Sequence, residues 1–431
     1  MKKSLVLMMC VLLGLAWYVT ISSWFGMDDK YQGYLDEAKR LESKGLYIDA
    51  ISQYEEARKL KPDNLELEES IADAYFAMGN HKQYKNQLLT IIDTYGPVEE
   101  DVKKAYEYYK TYSSEGTLID FVVDLYDKYP ESELVNEYYD SIKGVYTEMY
   151  ISCDYISNFY GKAAVYEQNG KKGLLNPDGQ VVIEAVYDDI AYNGSDADRI
   201  TVKDGNKYYF VNSSGYKTKE PDGNYDFIGI FSKQGIIAGK AGKYGYLDSN
   251  LKPMTEFVYD DASCFYENIA AVKKGDKWAL IDQKGKEITE YLYDEVALNS
   301  KGICNRGGVI WVKQNGVWSL INEKGEAIGT GTYEEVKAFE SDQLCAVCRN
   351  GLWGFADNTG TLQIECTYQD AKSFLNGFAP VKKNGLWGYV DLGNYLAIQC
   401  NFEDVGNMTS SGVAPVSHSG TWTLIELEAF R

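Results

Sequence analysis

Histidine is scarce in this chain, with two residues, His81 and His418, among 431. Histidine is the usual general base of enzymes and a common ligand of zinc and iron, and these two stand in unrelated contexts. Cys345 and Cys348 form the pattern Cys-x-x-Cys without a second such pair, and on a strand they would point to opposite faces. We therefore expect a non-enzymatic protein with no catalytic residue, no cofactor and no metal. Buried thiols are expected at this cysteine pair, with a disulfide or a metal site as alternatives.

Positive charge is also in short supply. The chain has 43 Lys and Arg against 64 Asp and Glu, which gives a net charge of -21. A surface of this sign repels phosphate backbones, so nucleic acid is not expected as a partner. Cationic protein segments, neutral glycans and metal ions remain compatible with it.

Charge is missing altogether from Ser4 to Met27. A bilayer is crossed by about 20 apolar residues, and the run shows no obvious signal-peptide cleavage site. Two lysines precede it and two aspartates follow it, so the positive-inside rule places the N-terminus in the cytoplasm. We expect residues 1–27 to be a signal anchor that crosses the cell membrane once through residues 4–27, with the bulk of the chain outside. A cleaved signal peptide is the alternative.

Residues 28–150 have the apolar spacing of helices, and prolines close three similar stretches at Pro62, Pro97 and Pro130. Small and large residues recur at matching places, which lets paired helices approach and fills the gaps between them. These places are Tyr34, Gly45, Tyr47, Ala50, Tyr54 and Ala57, then Ala72, Tyr75 and Gly79. Over residues 31–132 the pattern resembles tetratricopeptide repeats, with a degenerate third copy that has Tyr106 and Tyr109 where a small residue belongs. Residues 132–146 are expected to form a capping helix.

The tetratricopeptide resemblance implies a concave groove that takes an extended peptide or a partner helix. The groove positions carried over to this sequence are Gln32, Lys39, Glu42, Glu66, Glu69, Asp73, Glu100, Lys103 and Glu107. Because acids dominate, the groove suits a basic segment of a protein partner. A solvated helix face is the alternative.

Residues 151–431 repeat one short pattern. NGLWGFAD at 350–357 recurs as NGLWGYVD at 384–391. The position of its tryptophan, called here the ring position, can be aligned in eight copies, most of which have an aromatic residue there. The eight are Lys172, Tyr208, Tyr244, Trp278, Trp318, Trp353, Trp387 and Trp422. Asn-Gly between alternating apolar runs predicts a β-hairpin in each unit, and apolar residues on both faces of its second strand predict small sheets stacked on one another.

Two further features recur in these units. The residue after the ring is usually small, as at Gly354 and Gly388, and is expected to make room for the ring of the neighbouring unit. A tyrosine followed by two acids, such as Tyr187-Asp188-Asp189, closes the unit. These acids are expected to be solvated turn residues, with a calcium site as the alternative.

The signature K/N-G-x-W-G-[YF]-x-D resembles the bacterial WG-repeat (KWG) family over residues 160–428. The match is strongest at Trp353-Gly354 and Trp387-Gly388 and weaker at Trp278, Trp318 and Trp422. The family implies a β-repeat array used for binding, with no assigned chemistry. Eight units are expected to form a propeller-like ring, with an open β-solenoid as the alternative.

The chain is thus predicted to be a multidomain protein, α then β. A transmembrane segment (1–27) precedes an α-solenoid of helix pairs (28–150) and an all-β array of eight units (151–431). The expected function is a membrane-anchored, extracytoplasmic scaffold for protein–protein interaction. The alternative is a module that binds cell-wall glycan by stacking sugars on exposed Trp or Tyr.

Overall fold

The computed structural model describes residues 27–194, 196 and 198–430. The chain divides into two compact units, one ending at Ile142 and the other beginning at Lys143. The predicted membrane segment lies outside the described residues, apart from Met27. In the part that is described, no helix is both long and apolar enough to cross a membrane.

The first unit is helical. Small side chains lie where its helices meet: Ala38, Ala50 and Ala57 are fully buried, and Tyr54 fills the space between them. Asn64, Asn80 and Ser114 cap helices by accepting hydrogen bonds from backbone N–H groups three residues later. The described helices are α1 (residues 27–42), α2 (Tyr47–Leu60), α3 (Leu65–Ala77), α4 (His81–Tyr95), α5 (Glu99–Tyr112), α6 (Glu115–Lys128) and α7 (Glu133–Ile142).

The second unit is an eight-bladed β-propeller whose first strand, β1 (Tyr146–Glu148), belongs to its last blade. Blades one to four contain, in order, β2 (Tyr155–Ile156), β3 (Ala164–Gln168), β4 (Lys171–Leu175) and β5 (Val181–Tyr187); β6 (Asp189–Ala191), β7 (Ile200–Asp204), β8 (Lys207–Val211) and β9 (Lys217–Lys219); β10 (Phe227–Ile228), β11 (Ile236–Lys240) and β12 (Lys243–Leu247); β13 (Asp261–Ala262), β14 (Ile269–Lys274) and β15 (Lys277–Asp282).

Blades five to eight continue in the same order, and all strand pairs are antiparallel. They contain β16 (Glu295–Val296), β17 (Val309–Gln314), β18 (Val317–Asn322) and β19 (Ala327–Tyr333); β20 (Glu335–Val336), β21 (Cys345–Arg349), β22 (Leu352–Ala356) and β23 (Leu362–Tyr368); β24 (Asp370–Ala371), β25 (Phe378–Lys383), β26 (Leu386–Asp391) and β27 (Leu396–Phe402); β28 (Asp404–Val405), β29 (Val413–His418), β30 (Thr421–Leu427) and the returning β1. A short 3₁₀ turn, Glu428–Phe430, follows β30.

The ring is closed by pairing the two ends of the unit. Strand β1 runs antiparallel to β30, with Tyr146 opposite Leu427 and Glu148 opposite Ile425. The ammonium group of Lys143 also pairs with the carboxylate of Asp391, and both side chains are largely buried. The expected propeller-like ring is therefore confirmed over the open solenoid, because β1 removes the free edge of the last blade.

Because β1 belongs to the propeller, the domain boundary lies earlier in the chain than the sequence predicted, between Ile142 and Lys143. The sequence placed the boundary after residue 150 and a capping helix over 132–146, but α7 ends at Ile142 and Tyr146 already pairs in the propeller. Gly144 explains the abrupt change, because a Cβ there would lie 1.8 Å from the carbonyl oxygen of Ala397. Only glycine lets the chain pass this close to the sheet.

The predicted hairpins form in the structure. Asn169, Asn315, Asn350 and Asn384 each adopt φ of 54°, and the glycines that follow them also have positive φ. Asn-Gly suits these turns because both central residues are left-handed. Both faces of the strand after each turn are buried, as Phe355, Ala356, Tyr389 and Val390 illustrate at 0% exposure.

The reason expected for the small residue after the ring is wrong. A Cβ on Gly354 would lie 2.4 Å from the carbonyl oxygen of Ile364, and one on Gly388 would lie 2.4 Å from that of Ile398. Both oxygens belong to the outer strand of the same blade, where the register shifts beside Trp353 and Trp387. Glycine at this position therefore leaves room for the backbone of the outer strand of its own blade, and not for the aromatic ring of the neighbouring unit.

Candidate partner groove of the helical unit

The predicted groove residues lie on the three helices that the repeat pattern assigned to them. Seven side chains are exposed, whereas Glu42 and Glu69 are half-buried. Helix α1 carries Gln32, Lys39 and Glu42; α3 carries Glu66, Glu69 and Asp73; and α5 carries Glu100, Lys103 and Glu107. Lys39 and Glu66 form no ion pair among the described residues.

Acidic side chains from α1, α3 and α5 face one another. Glu42 accepts a hydrogen bond of 3.1 Å from the Tyr54 hydroxyl, and its pKa is raised by burial and by the nearby charge of Asp73. The ammonium group of Lys104 lies 2.9 Å from a carboxylate oxygen of Asp73. One lysine thus offsets part of a negatively charged surface, and a cationic partner could offset more of it.

Asp101 is a buried acid next to this acidic surface, beside Glu69, and the sequence reasoning missed it. Its side chain is 0% exposed, and neither carboxylate oxygen has a hydrogen-bond partner. Burial, and then the charge of Glu69, raise its pKa to about 6. A signal was present in the sequence, because Leu67, thirty-four residues earlier, is a buried residue of α3 at the corresponding position. An acid in place of that leucine breaks the repeat pattern.

Next to the acids lies a hollow with aromatic walls, which the sequence reasoning also missed. Its volume is about 370 Å³. Phe76 and Tyr112 are 48% and 51% exposed, and the Tyr108 ring lies 5.8 Å from Tyr84 and 5.3 Å from Tyr112. The hollow is lined by Phe76, Tyr84, Glu100, Lys103, Lys104, Glu107, Tyr108, Thr111 and Tyr112. Three predicted groove residues, Glu100, Lys103 and Glu107, are thus brought together here.

The lysines at the hollow are engaged with acids outside its lining. Lys103 pairs with Glu99, which raises the pKa of the ammonium group, and Lys104 pairs with Asp73. Glu107 is 4.0 Å from Lys110, while Glu100 forms no ion pair among the described residues. Aromatic faces attract cations, and carboxylates at the rim add to the attraction. The hollow is therefore suited to an arginine or lysine side chain.

The repeat positions of the β unit have structural roles. Trp278, Trp318 and Trp387 are buried, and Trp353 and Trp422 are half-buried. The lysine ammonium groups of Lys337 and Lys372 stack on Trp353 and Trp387, 4.8 and 5.1 Å from the ring centroids. Cys345 and Cys348 are buried and free, as expected, and Cys345 accepts a hydrogen bond of 3.2 Å from the Trp311 indole.

The acids that close each unit are mostly exposed, as Asp188 and Glu403 are, which agrees with the expected solvated turn residues, but they also hold the hairpins. In every blade a side chain at the first of these positions accepts a hydrogen bond from the backbone of the hairpin turn, as Asp188 does from Gly205 (2.6 Å) and Glu403 from Gly420 (3.0 Å). The others are Asp154, Asp226, Asp260, Asp294, Glu334 and Gln369. Among the described residues no group of three His, Cys, Asp or Glu is placed to hold a metal.

Comparison with known proteins gives one family. Six segments match the WG containing repeat: 173–208, 244–278, 279–318, 318–353, 353–387 and 387–422. The matches do not extend to the helical unit, whose tetratricopeptide resemblance stays a prediction. No curated protein matches the sequence.

Solved structures resemble the chain only remotely. A eukaryotic initiation factor has a TM-score of 0.42 at 10% identity, covering 66% of this chain and 87% of that one. Hsv2 of Kluyveromyces lactis has 0.34 at 10%, covering 62% and 90%. PorZ, a surface component of the type-IX secretion system of Porphyromonas gingivalis, has 0.36 at 9%, covering 63% and 42%. No function follows from likenesses this distant.

Proposed function

Since the β unit of this chain belongs to the WG-containing repeat family, we propose that the chain is a non-enzymatic scaffold for protein–protein interaction. A propeller with these repeats suggests such a scaffold in general terms. The finer proposal concerns the helical unit. Its groove takes a basic segment of a partner protein, and the aromatic hollow receives one arginine or lysine side chain of that segment.

The observation that carries this proposal is the composition of the hollow. Four aromatic rings and two carboxylates, those of Glu100 and Glu107, line a space of about 370 Å³. The two lysines that also line it are held by Glu99 and Asp73. Such a site favours a cation over an anion, because ring faces and carboxylates both carry negative potential.

Location is part of the proposal. The uncharged run from Ser4 to Met27 supports a single-pass anchor in a bacterial cell membrane with both described units outside the cytoplasm. Two binding surfaces on one tethered chain would raise the effective concentration of one partner near the other. A scaffold acts in this way, by holding two partners close to each other.

Glycan binding is the second candidate function. Exposed rings on the β unit favour it, since Tyr216 and Tyr395 are 73% and 67% exposed. The tryptophans of the repeats weigh against it, because three of them are buried and therefore cannot stack on a sugar. Retention of the protein on insoluble cell wall would support this second function.

A capture experiment separates the two. Purified residues 28–431 are incubated with solubilised envelope proteins and, separately, with bare cell wall. The variant Glu100→Gln/Glu107→Gln removes the rim charges, and Glu115→Gln/Asp120→Asn is the matched control, since both of its sites are exposed on α6. We expect specific proteins to be captured by the wild type and the control and lost by the rim variant. Equal capture by all three would contradict a role for the hollow.

A further inference from the structure

One loop of the propeller is longer than its counterparts. In every blade a loop joins the first strand to the second, and in seven blades it has six to eight residues. In blade five it spans residues 297–308, which is why Trp278 and Trp318 are 40 residues apart whereas the other neighbouring ring positions are 34 to 36 apart. The Tyr160 hydroxyl of blade one donates a hydrogen bond of 2.7 Å to the carbonyl oxygen of Ser300 in this loop. Since blades one and five are opposite in a ring of eight, the long loop reaches across the axis.

The same loops of five blades are joined to one another in a closed cycle around a cavity of about 210 Å³. Each neighbouring pair of blades from five through eight to one contributes a hydrogen bond, and the contact across the axis completes the cycle. The cycle consists of bonds from Tyr160 to Ser300 (2.7 Å), from Ser300 to Glu340 (2.7 and 2.8 Å), from Ser341 to Phe374 (2.9 Å), from Asn376 to Met408 (2.9 Å) and from Asn407 to Asn158 (2.7 Å). The walls of the cavity are therefore fixed before a ligand enters, which lowers the cost of binding.

Two polar side chains that line the cavity have unused hydrogen-bonding capacity. Asn407 is 4% exposed, and its Oδ1 accepts no hydrogen bond from any described residue. Lys301 is half-buried, its ammonium group lies 5.7 Å from the centre of the Tyr160 ring, and it forms no ion pair among the described residues. A buried acceptor without a partner is unfavourable. A ligand that donates to Asn407 and accepts from Lys301 would satisfy both groups.

Charge and size restrict what the cavity can hold. Lys301 and Glu340 are the charged residues of its lining, so an anion would meet the carboxylate and a cation would meet the ammonium group. Both oxygens of Glu340 already accept hydrogen bonds from Ser300. The volume equals that of about seven water molecules in the liquid and is smaller than the pockets of about 300–1,000 Å³ that take drug-sized ligands. A small ligand without net charge is therefore favoured.

We propose that this cavity binds one small, uncharged molecule with several hydroxyl groups, a single sugar ring. A hydroxyl group both donates and accepts, so one hydroxyl of the sugar donates to Asn407 and another accepts from Lys301. The C–H faces of the ring contact the apolar part of the lining, which is formed by Phe159, Leu375 and Met408. The site does not depend on the groove of the helical unit. It also differs from glycan binding on exposed rings, because the sugar is enclosed by loops.

The test titrates glucose, galactose and mannose separately into residues 28–431 and follows each sugar by saturation-transfer difference NMR. Glucosamine and glucuronate are matched charged probes, measured at about pH 6.5, where the amine is protonated and the carboxyl is ionised. Asn407→Leu removes the unpaired amide at similar size and keeps the backbone bond to Asn158. Ser410→Trp fills the cavity from its wall, and Ser213→Trp is the matched control outside it. Both serines are exposed, and their hydroxyls form no hydrogen bond among the described residues.

We expect at least one of the three neutral sugars to bind saturably, with a Kd of about 1 mM for a ligand of this size. The Kd should rise at least fivefold in Asn407→Leu and at least tenfold in Ser410→Trp, and should change less than twofold in Ser213→Trp. The charged sugars should bind at least fivefold more weakly than glucose, galactose or mannose, whichever binds best. Asn407→Leu should also melt at or above the wild-type midpoint, because a buried unpaired acceptor is removed.

Three results would overturn the proposal. The first is the absence of saturable binding by all three neutral sugars, which would leave a cavity that holds water. The second is equal binding by the wild type and Ser410→Trp, which would place the sugar elsewhere on the chain. The third is binding of glucosamine or glucuronate at least as tight as that of the neutral sugars, which would assign the cavity to a charged ligand.

Discussion

Replacing Gly354 by alanine adds one carbon atom, the Cβ, and tests how closely β22 and β23 pack within their blade. The new Cβ would lie 2.4 Å from the carbonyl oxygen of Ile364 and 2.7 Å from the backbone nitrogen of Cys366. Ordinary contact begins at 3.4 Å, so the two strands must separate by 1.0 Å at this point. The obstacle is backbone held in a sheet, which cannot rotate out of the way as a side chain would.

The expected cost is that of overpacking a tight interior, about 2–3 kcal/mol in the free energy of unfolding. For a domain of this size the melting midpoint should fall by about 3–5 °C. The midpoint is measured on residues 28–431 through the fluorescence of the buried rings, which include Trp278, Trp318 and Trp387. Near-ultraviolet circular dichroism reports the same loss of packing.

Ser319→Ala is the matched control. Ser319 occupies the same position in blade five, where a Cβ is already accommodated. The free energy of unfolding of Ser319→Ala should therefore differ from that of the wild type by less than about 0.5 kcal/mol. If Gly354→Ala were as stable as the wild type, the close approach of the two strands would be refuted. If a smaller aromatic residue in a neighbouring blade restored the stability of Gly354→Ala, the glycine would instead make room for the ring of the neighbouring unit, as the sequence alone suggested.

Three further outcomes are expected. A chain that begins at residue 151 lacks β1 and should melt at least about 5 °C below one that begins at 143, because the three residue pairs between β1 and β30 and the ion pair of Lys143 with Asp391 are lost; equal midpoints would argue against the closure. Burial raises the pKa of Asp101 to about 6 in the folded protein, above the ordinary value of 3.8, so its protonation stabilises the fold at low pH and that contribution is lost as pH rises through 6. Asp101→Asn should therefore raise the free energy of unfolding by about 1–2 kcal/mol at pH 8, after allowance for screening, and by much less at pH 4, as urea titrations at both pH values would report. Burial raises the pKa of the Cys304 thiol to about 11 and that of the Cys345 thiol to about 12, so these two thiols should react slowly with a thiol reagent in the native protein at pH 8 and quickly in the unfolded protein; rapid modification of either thiol in the native protein would contradict its burial.

The repeating parts of the fold could be predicted from the sequence because they are local. Asn-Gly fixes a turn within four residues, and an apolar residue every second place fixes which faces are buried. Asn-Gly occurs in four of the hairpins and the apolar pattern recurs in all eight units, so a weak copy can be recognised from the others. The closure could not be predicted in this way, because the partner of Tyr146 is Leu427 and a three-residue strand carries no pattern of its own.

The candidate site was predicted in part for a related reason. Repeat spacing placed Glu100, Lys103 and Glu107 correctly on α5, but it says nothing of residues outside the repeat pattern. Phe76 and Tyr112, which form the walls of the hollow, are such residues. Asp101 did carry a signal, since it interrupts a buried apolar position, and only the structure shows that its carboxylate has no hydrogen-bond partner.

The proposal that the helical unit binds a basic segment is tested most directly by calorimetric titration of a twelve-residue peptide containing three arginines into residues 28–431 at low salt. We expect saturable binding that weakens with added salt, and a Kd at least tenfold higher for Glu100→Gln/Glu107→Gln than for Glu115→Gln/Asp120→Asn, which should behave as the wild type. Absence of binding, or the same affinity in both variants, would contradict the assignment of the hollow as the site that holds a partner's cationic side chain.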